Sequence, residues 1–330
     1  MRLFLLALIV LTTQSHHNNI LLLDQSNAFL FEKDGRAEYV INRKLDLNGQ
    51  RIVFPHKCTI RIEGDGCLTN GELVGNHTSI KAGKKTIFLK DLKVSGTWDN
   101  ETVYSEWVDL QDSTDCTRQF KNLMSLSGGS KNTDLYVGKE FYYITAVVND
   151  APIRVPSHVF WHNKATLQMV PCSFKHYSLI RLQNVEDITI DGGMFIGDVQ
   201  THIGTEGEWG HGIKCSGAKN VTIKNLQCNY FWGDGIDLIE QDYEHQETFC
   251  DNVSMINVKC LHNRRQGLSI ESAHNILVTN CVFAYTGNPK TTAPSAGVDI
   301  EPWNDKGVKI ESEINALRIV LFTITKALIF

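Results

Sequence analysis

An all-β parallel β-helix is the fold class that this 330-residue chain predicts, and two alternating patterns predict it. Four segments read glycine, apolar, polar, apolar: Gly212-Ile213-Lys214-Cys215, Gly235-Ile236-Asp237-Leu238, Gly267-Leu268-Ser269-Ile270 and Gly297-Val298-Asp299-Ile300. Between them run Asn220-Val221-Thr222-Ile223-Lys224-Asn225, Asn252-Val253-Ser254-Met255-Ile256-Asn257 and Asn275-Ile276-Leu277-Val278-Thr279-Asn280. The asparagine segments start at 220, 252 and 275, a spacing of 32 and then 23 residues. A repeat of this length, made of short strands and turns, is one rung of a solenoid.

Strand alternation sends Ile213, Ile236, Leu268 and Val298 into a common interior stack. Asn225, Asn257 and Asn280 fall at turns, where short amides tolerate the left-handed conformation and can bond from rung to rung. Extra residues at 196–210, 240–251 and 284–296 flank the glycine strands and are expected to wall a cleft. The nine cysteines show no zinc spacing. Cys228 and Cys260 share a rung position with Phe195 and Phe283, so most of the cysteines read as small core residues.

The rest of the chain divides by the same grammar. Residues 1–15 resemble a signal peptide, with Arg2 ahead of an apolar run from Leu3 to Leu11; the alternative is a hydrophobic first strand or cap. Residues 20–110 carry N-terminal rungs, for example Thr59-Ile60-Arg61-Ile62. Residues 111–150 interrupt the repeat with a helix, capped near Asp115 and Thr117 and closing near Gly128-Gly129, followed by two strands. Residues 151–305 form the main coil. Residues 306–330 make an atypical apolar tail that suggests truncation or an unmatched strand. A net charge of −5 argues against nucleic acid as a partner, and no other apolar run is long enough to span a membrane.

The chain resembles the pectate-lyase-like superfamily of right-handed single-stranded parallel β-helix proteins, the pectin-lyase-like solenoids. Within it the likeness is to bacterial and phage β-helix repeat proteins of tailspike type. It rests on Asn48-Gly49-Gln50 to Pro55, on Leu135 to Ile144 with Ile153-Arg154-Val155-Pro156, and on Trp232-Gly233-Asp234-Gly235-Ile236. Asn263-Arg264-Arg265-Gln266-Gly267 and Ala296-Gly297-Val298-Asp299-Ile300-Glu301-Pro302 extend it, so that it covers roughly residues 35–305. The resemblance implies the fold and, among tailspike relatives, frequent trimers. It does not imply an activity, because the superfamily holds lyases, hydrolases, epimerases and binders. The polygalacturonase order of paired aspartates followed by Gly-His-Gly is not reproduced, since Gly210-His211-Gly212 precedes the aspartates.

Aligning the strands on their glycines gives one outward column of Lys214, Asp237, Ser269 and Asp299, and a second of Ser216, Ile239, Glu271 and Glu301. Stacked rungs ~4.8 Å apart bring these acids together, which makes Asp237, Asp299, Glu271 and Glu301 the candidate catalytic residues. Crowded carboxylates raise one another's pKa, so one can stay protonated as the acid. Trp209 and Trp232 offer flat faces for sugar rings, or cover the core at turns. Arg264 and Arg265 can hold uronate or sulfate, or only neutralise neighbouring acids. Asp234 and His211 join this wall as candidate substrate-binding residues, and His274 lies in the turn after Glu271. The combination suits an exported protein that cleaves an acidic polysaccharide, by hydrolysis or, with His211 or Arg265 as proton acceptor and Ca²⁺ held by the carboxylates, by elimination. The alternatives are a glycan-binding module on a cell surface or phage virion, and a purely structural solenoid.

Overall fold

A computed structural model describes residues 20–23, 38–239, 248–287, 290–301, 316–318 and 328–329. It is an all-β molecule of parallel sheets with one α-helix among the described residues. The expected signal peptide and most of the apolar tail lie outside the described residues, as does 240–247 of the second wall loop. Two short strands of the tail, Ala316–Arg318 and Leu328–Ile329, are described.

Beyond residue 101 the chain visits three sheets in rotation. The first sheet holds Thr102–Tyr104, Thr133–Val137, Val159–Asn163, Glu186–Asp191, Lys219–Lys224, Cys250–Ile256, Ala273–Thr279 and Ala316–Arg318, in that order. The second runs from Phe141–Ile144 through Thr166–Met169, Met194–Ile196, Gln227–Asn229 and Lys259–Leu261 to Val282–Ala284. The third is built of β1 (Ile153–Arg154), β2 (His176–Gln183), β3 (Trp209–Ser216), β4 (Ile236–Ile239), β5 (Gln266–Ile270) and β6 (Ala296–Ile300), followed by Leu328–Ile329. Neighbouring strands in each pair in parallel.

The connections explain how one repeat makes both a scaffold and a cleft. From the first sheet to the second the link is three residues at 138–140 and two thereafter: 164–165, 192–193, 225–226, 257–258 and 280–281. From the second to the third it varies, as 170–175, 197–208, 230–235, 262–265 and 285–295. Short fixed corners hold the register, and the variable loops all arrive at the N-terminal ends of the third-sheet strands.

Asparagine ladders make the fixed corners. Asn220, Asn252 and Asn275 lie in the opening residues of first-sheet strands, and Asn225, Asn257 and Asn280 follow those strands, all with φ between 52° and 56°. The Asn252 amide donates to Asn220 Oδ1 at 3.0 Å, and Asn257 donates to Asn225 at 2.9 Å. The carboxylates of Asp187 and Asp191 accept the next amides at 2.9 and 2.7 Å. A short amide both tolerates the left-handed turn and passes a hydrogen bond to the next repeat.

The interior is a set of apolar columns. Ile180, Ile213, Ile236, Leu268 and Val298 pair in register, and all are buried. In the second sheet Phe195 pairs with Cys228, and Cys260 with Phe283, again buried. All nine cysteines are free. Burial pushes the Cys250 thiol up to about 12, which fits an inert core residue.

The helix α1 (Thr117–Ser127) sits where the sequence interrupts the repeat. Asp115 Oδ1 accepts the Thr117 backbone N–H at 2.9 Å, and the helix ends at Gly128. Its buried side carries Phe120, Leu123, Met124 and Leu126. Asn122 closes the edge of strand Lys93–Trp98: it accepts from Val94 N and donates to Leu92 O, both at 2.9 Å. The side chain thus replaces the next strand's backbone. No helix among the described residues is long and apolar enough to cross a membrane.

Candidate functional site

The outer face of the third sheet carries the chemistry. Its register places Arg154, Arg181, Lys214, Asp237, Ser269 and Asp299 in one unbroken column. The expected alignment of Lys214, Asp237, Ser269 and Asp299 therefore holds. Their setting differs from expectation. Asp237, Ser269 and Asp299 are each 1% exposed, so they are not a solvated groove floor. β5 is buried along its whole length, on both faces.

Glycine makes that close packing possible. A Cβ on Gly235 would fall 2.7 Å from Gly267 O and 2.6 Å from the Asn263 amide. One on Gly267 would fall 2.6 Å from Gly297 O. The glycine that opens each repeated segment is the point where consecutive backbones approach too closely for a side chain.

Around the column the charges interlock. His211, from β3, accepts the Asp234 backbone N–H at Nδ1 (3.2 Å) and turns Nε2 toward Asp237 Oδ2 at 3.7 Å. Lys214 Nζ reaches the same Asp237 oxygen at 3.4 Å. Asp234 accepts the Gln266 backbone N–H at 3.0 Å and Arg265 Nη1 at 3.1 Å. Arg265 stands 4.0 Å from Glu271, and the Gln266 amide donates to Asp299 Oδ2. One network thus joins β3, β4, β5 and β6.

The titration behaviour follows from that crowding. Burial first, then the charge of Asp237, hold Glu271 well above the usual carboxylate range, against the pull of Arg265 and Lys214. Burial also raises Asp299, opposed by the Gln266 hydrogen bond and reinforced by Glu301. Burial works against the charge on Arg265, but Asp234, Glu271, Asp237 and Glu208 together hold it protonated above the ordinary guanidinium value. Glu301 is exposed at the rim.

Several polar atoms here find no hydrogen-bond partner among the described residues: His211 Nε2, Asp237 Oδ1, Arg265 Nε, Gln266 Oε1, Ser269 Oγ and Asp299 Oδ1. Buried polar atoms are normally paired, because an unmade hydrogen bond costs about 1–3 kcal/mol. Their concentration on one face makes it the candidate site.

The tryptophans and Arg264 correct the expectation of an aromatic sugar platform. Trp232 is 1% exposed and both its faces are taken. The His202 ring stacks at 3.9 Å, and the Arg264 guanidinium lies 3.9 Å from the ring centre. Arg264 in turn donates to the backbone carbonyls of Gly207 (2.7 Å), Thr205 (3.4 Å) and Trp232 (3.5 Å). The stack therefore pins loop 197–208 as a wall and does not hold a uronate. Below it Asp198 accepts from Tyr177 OH, from Cys172 N at 3.1 Å, and pairs with His202 Nδ1 at 2.9 Å. Trp209 does stay open at the rim, 39% exposed, with the His176 ring 4.2 Å away. His274 is stacked against Phe249 at 4.0 Å, outside this network.

The donor set does not fit Ca²⁺. Among the described residues only Cys172–Asp198–His202 and His158–Glu186–Asp187 bring three ligand atoms within 4.8 Å of one another. The carboxylates of the third sheet do not converge in this way, and Lys214 and Arg265 already stand among them.

Sequence reasoning singled out Asp234, Asp237, Glu271, Asp299, His211 and Arg265, and the fold brings these together. It passed over Gln266 and Lys214 as site residues, and missed Arg181 altogether. A signal was available: Ile153-Arg154, Ile180-Arg181 and Ile213-Lys214 repeat an apolar–cation pair in three consecutive strands.

No family model matches the chain. It is similar to YclG, an uncharacterised protein of Bacillus subtilis, at 27% identity over 220 residues, which is 61% of this chain and 38% of that protein. It is also similar to YorA, an SPbeta prophage-derived uncharacterised protein of Bacillus subtilis, at 28% identity over 48% of this chain and 29% of that protein. The matches therefore span well under half the length of these relatives. A solved structure from Parabacteroides merdae, provisionally assigned as a glycosyl hydrolase, aligns with 61% of this chain and 96% of its own, with a TM-score of 0.43 and 17% identity.

Proposed function

We propose that the three sheets wrap a single right-handed parallel β-helix of the pectate-lyase-like superfamily, and that the protein is an exported enzyme hydrolysing an acidic polysaccharide. Right-handedness follows from the general rule for crossovers between parallel strands. The observation that carries the enzymatic reading is the set of buried carboxylates beside partnerless polar atoms on one sheet face.

Glu271 is the proton donor in this scheme. Burial and the nearby Asp237 favour its protonated form, which an acid catalyst needs near neutrality. Asp237, between Lys214 and His211, is the base. The two residues are one strand apart and two positions offset, so their Cα atoms are about 8 Å apart. With a water held between the two carboxyl groups, attack on the face opposite the leaving group inverts the anomeric centre. Glu271 gives its proton to the glycosidic oxygen as the bond to the anomeric carbon breaks. Asp237 takes a proton from the water that attacks this carbon, and a new reducing end results. Asp299, also raised by burial and held by Gln266, is the second candidate donor. Glu301 and Trp209 would meet the chain at the rim.

Elimination is the weaker reading, because its base would be Arg265 or His211. Four carboxylates oppose loss of the Arg265 proton. A second reading, a glycan-binding module of a phage or cell surface, trimeric as in tailspike relatives, draws on the prophage origin of YorA. A panel of acidic glycans assayed for both product types separates the three. New reducing ends without unsaturation support hydrolysis, unsaturated ends mean elimination, and retention of glycan with neither means a binder.

A further inference from the structure

We propose that Arg181 is a subsite for the acid group of the substrate, next to the cleavage point, and that it binds a sugar carboxylate or sulfate ester. The proposal rests on reading the third-sheet face as a glycan cleft, and it stands on four observations.

First, Arg181 is the middle of three cations in direct register, between Arg154 on β1 and Lys214 on β3. Adjacent parallel strands are ~4.8 Å apart, and like charges placed side by side destabilise a sheet. Second, both outer cations are neutralised. Arg154 is bonded to Asp150 (Nε–Oδ2 3.1 Å) and to Gln183 Oε1 at 3.1 Å, and Lys214 pairs with Asp237 at 3.4 Å. Third, Arg181 has no such partner among the described residues. Its Nε is buried with no acceptor, while Gln183, on its own strand, is turned to Arg154. Fourth, the other two arginines of this face are spoken for: Arg264 by three carbonyls and Trp232, Arg265 by Asp234. Burial, then Arg154, push the Arg181 guanidinium below its ordinary pKa, with Asp150 and Asp237 only partly opposing.

A part-buried guanidinium flanked by two cations, with its Nε unbonded and Asp150 and Asp237 only partly opposing, would be relieved by an incoming oxyanion. Its planar fork matches the two oxygens of a carboxylate or sulfate. Arg181 lies two strands from Asp237, about 10 Å along the column, so an acid group bound there belongs to a sugar beside the one being cleaved.

The test uses the full chain, as wild type, Arg181→Met and Arg181→Gln, with galacturonate, glucuronate, galactose 6-sulfate and galactose as probes. Melting temperature and calorimetric affinity are read. In the absence of probe both variants should melt higher than wild type, because a part-buried cation set between two other cations has gone. A structural arginine would give the opposite sign. At least one acidic sugar should raise the melting temperature of the wild type while galactose does not, and both variants should lose at least tenfold in its affinity. The sugars that act distinguish carboxylate from sulfate recognition. Variants that melt lower, unchanged affinity in the variants, or no response of the wild type to any acidic sugar would overturn the subsite. Binding is read apart from cleavage: if acidic sugars bind through Arg181 and no glycan is cut, the subsite stands and the hydrolase reading falls.

Discussion

The first and third sheets are built from the same repeat, yet their outer faces follow opposite rules. On the first sheet every second side chain faces solvent, as in Lys219–Lys224, and polar groups find partners within the protein. Lys224 pairs with Asp191 at 3.3 Å, His162 with Asp134 at 3.0 Å, and the His162 ring stacks on Tyr136 at 4.4 Å. On the third sheet the outward Asp237, Ser269 and Asp299 are buried, and several polar atoms around them have no partner among the described residues. Of the thirteen buried polar side-chain atoms without a partner among the described residues, seven lie on third-sheet strands and one on a first-sheet strand. The contrast separates two uses of one scaffold. The first sheet holds register; the third carries unpaired polar atoms, which cost local stability and which the proposed function turns to a ligand.

The comparison breaks most readily at its acids. Glu271→Gln or Asp237→Asn should each lower the rate of glycan cleavage by about 10²–10⁴-fold, the range for a lost acid or base, as measured by reducing ends. Neither substitution should lower the melting temperature. An equivalent change on the first sheet, Asp191→Asn, should leave the rate unaltered.

Trp232→Ala should come next. Emptying a buried indole costs about 3–5 kcal/mol. The same change frees Arg264 and loosens loop 197–208, so denaturant unfolding and KM should shift together. Asn257→Ala tests the opposite face. It removes one ladder hydrogen bond and forces a Cβ without a polar partner into φ 56°, and should cost about 1–3 kcal/mol of stability with kcat unchanged.

The smallest effect is on the pH dependence of stability. Glu271 and Asp299 have raised folded-state pKa values. Each therefore contributes stability that is complete below the unfolded carboxylate pKa and is lost as pH rises through the folded value. Melting temperature measured from acid to neutral pH should fall across that window, and Glu271→Gln should flatten the fall. The groups facing Glu271 are Asp237, Asp234, Arg265 and Lys214, so the variant also separates its titration from theirs.

The column of Ile213, Ile236, Leu268 and Val298, the asparagine corners and the helix after Asp115 were legible in the sequence, because each obeys a local period or a local cap. The alignment of Asp237 with Ser269 and Asp299 was legible for the same reason: register carries outward residues along with inward ones. Burial of that outer face was not. It depends on what packs over an outward residue, which no strand period encodes. The fate of Trp232 was hidden likewise, since the His202 ring and the Arg264 guanidinium that cover it come from different loops. Arg181 was written plainly in the repeat but precedes the glycine segments, where the search for acids was centred.

The central claim is that the third-sheet face cuts an acidic glycan with Glu271 and Asp237. The most direct measurement follows the anomeric configuration of newly formed ends by NMR, for wild type and Glu271→Gln on the same acidic oligosaccharide. Inverted, saturated reducing ends from wild type, and none from a folded Glu271→Gln variant that still binds the oligosaccharide, are the predicted result. Unsaturated ends, or undiminished hydrolysis by the variant, would contradict it.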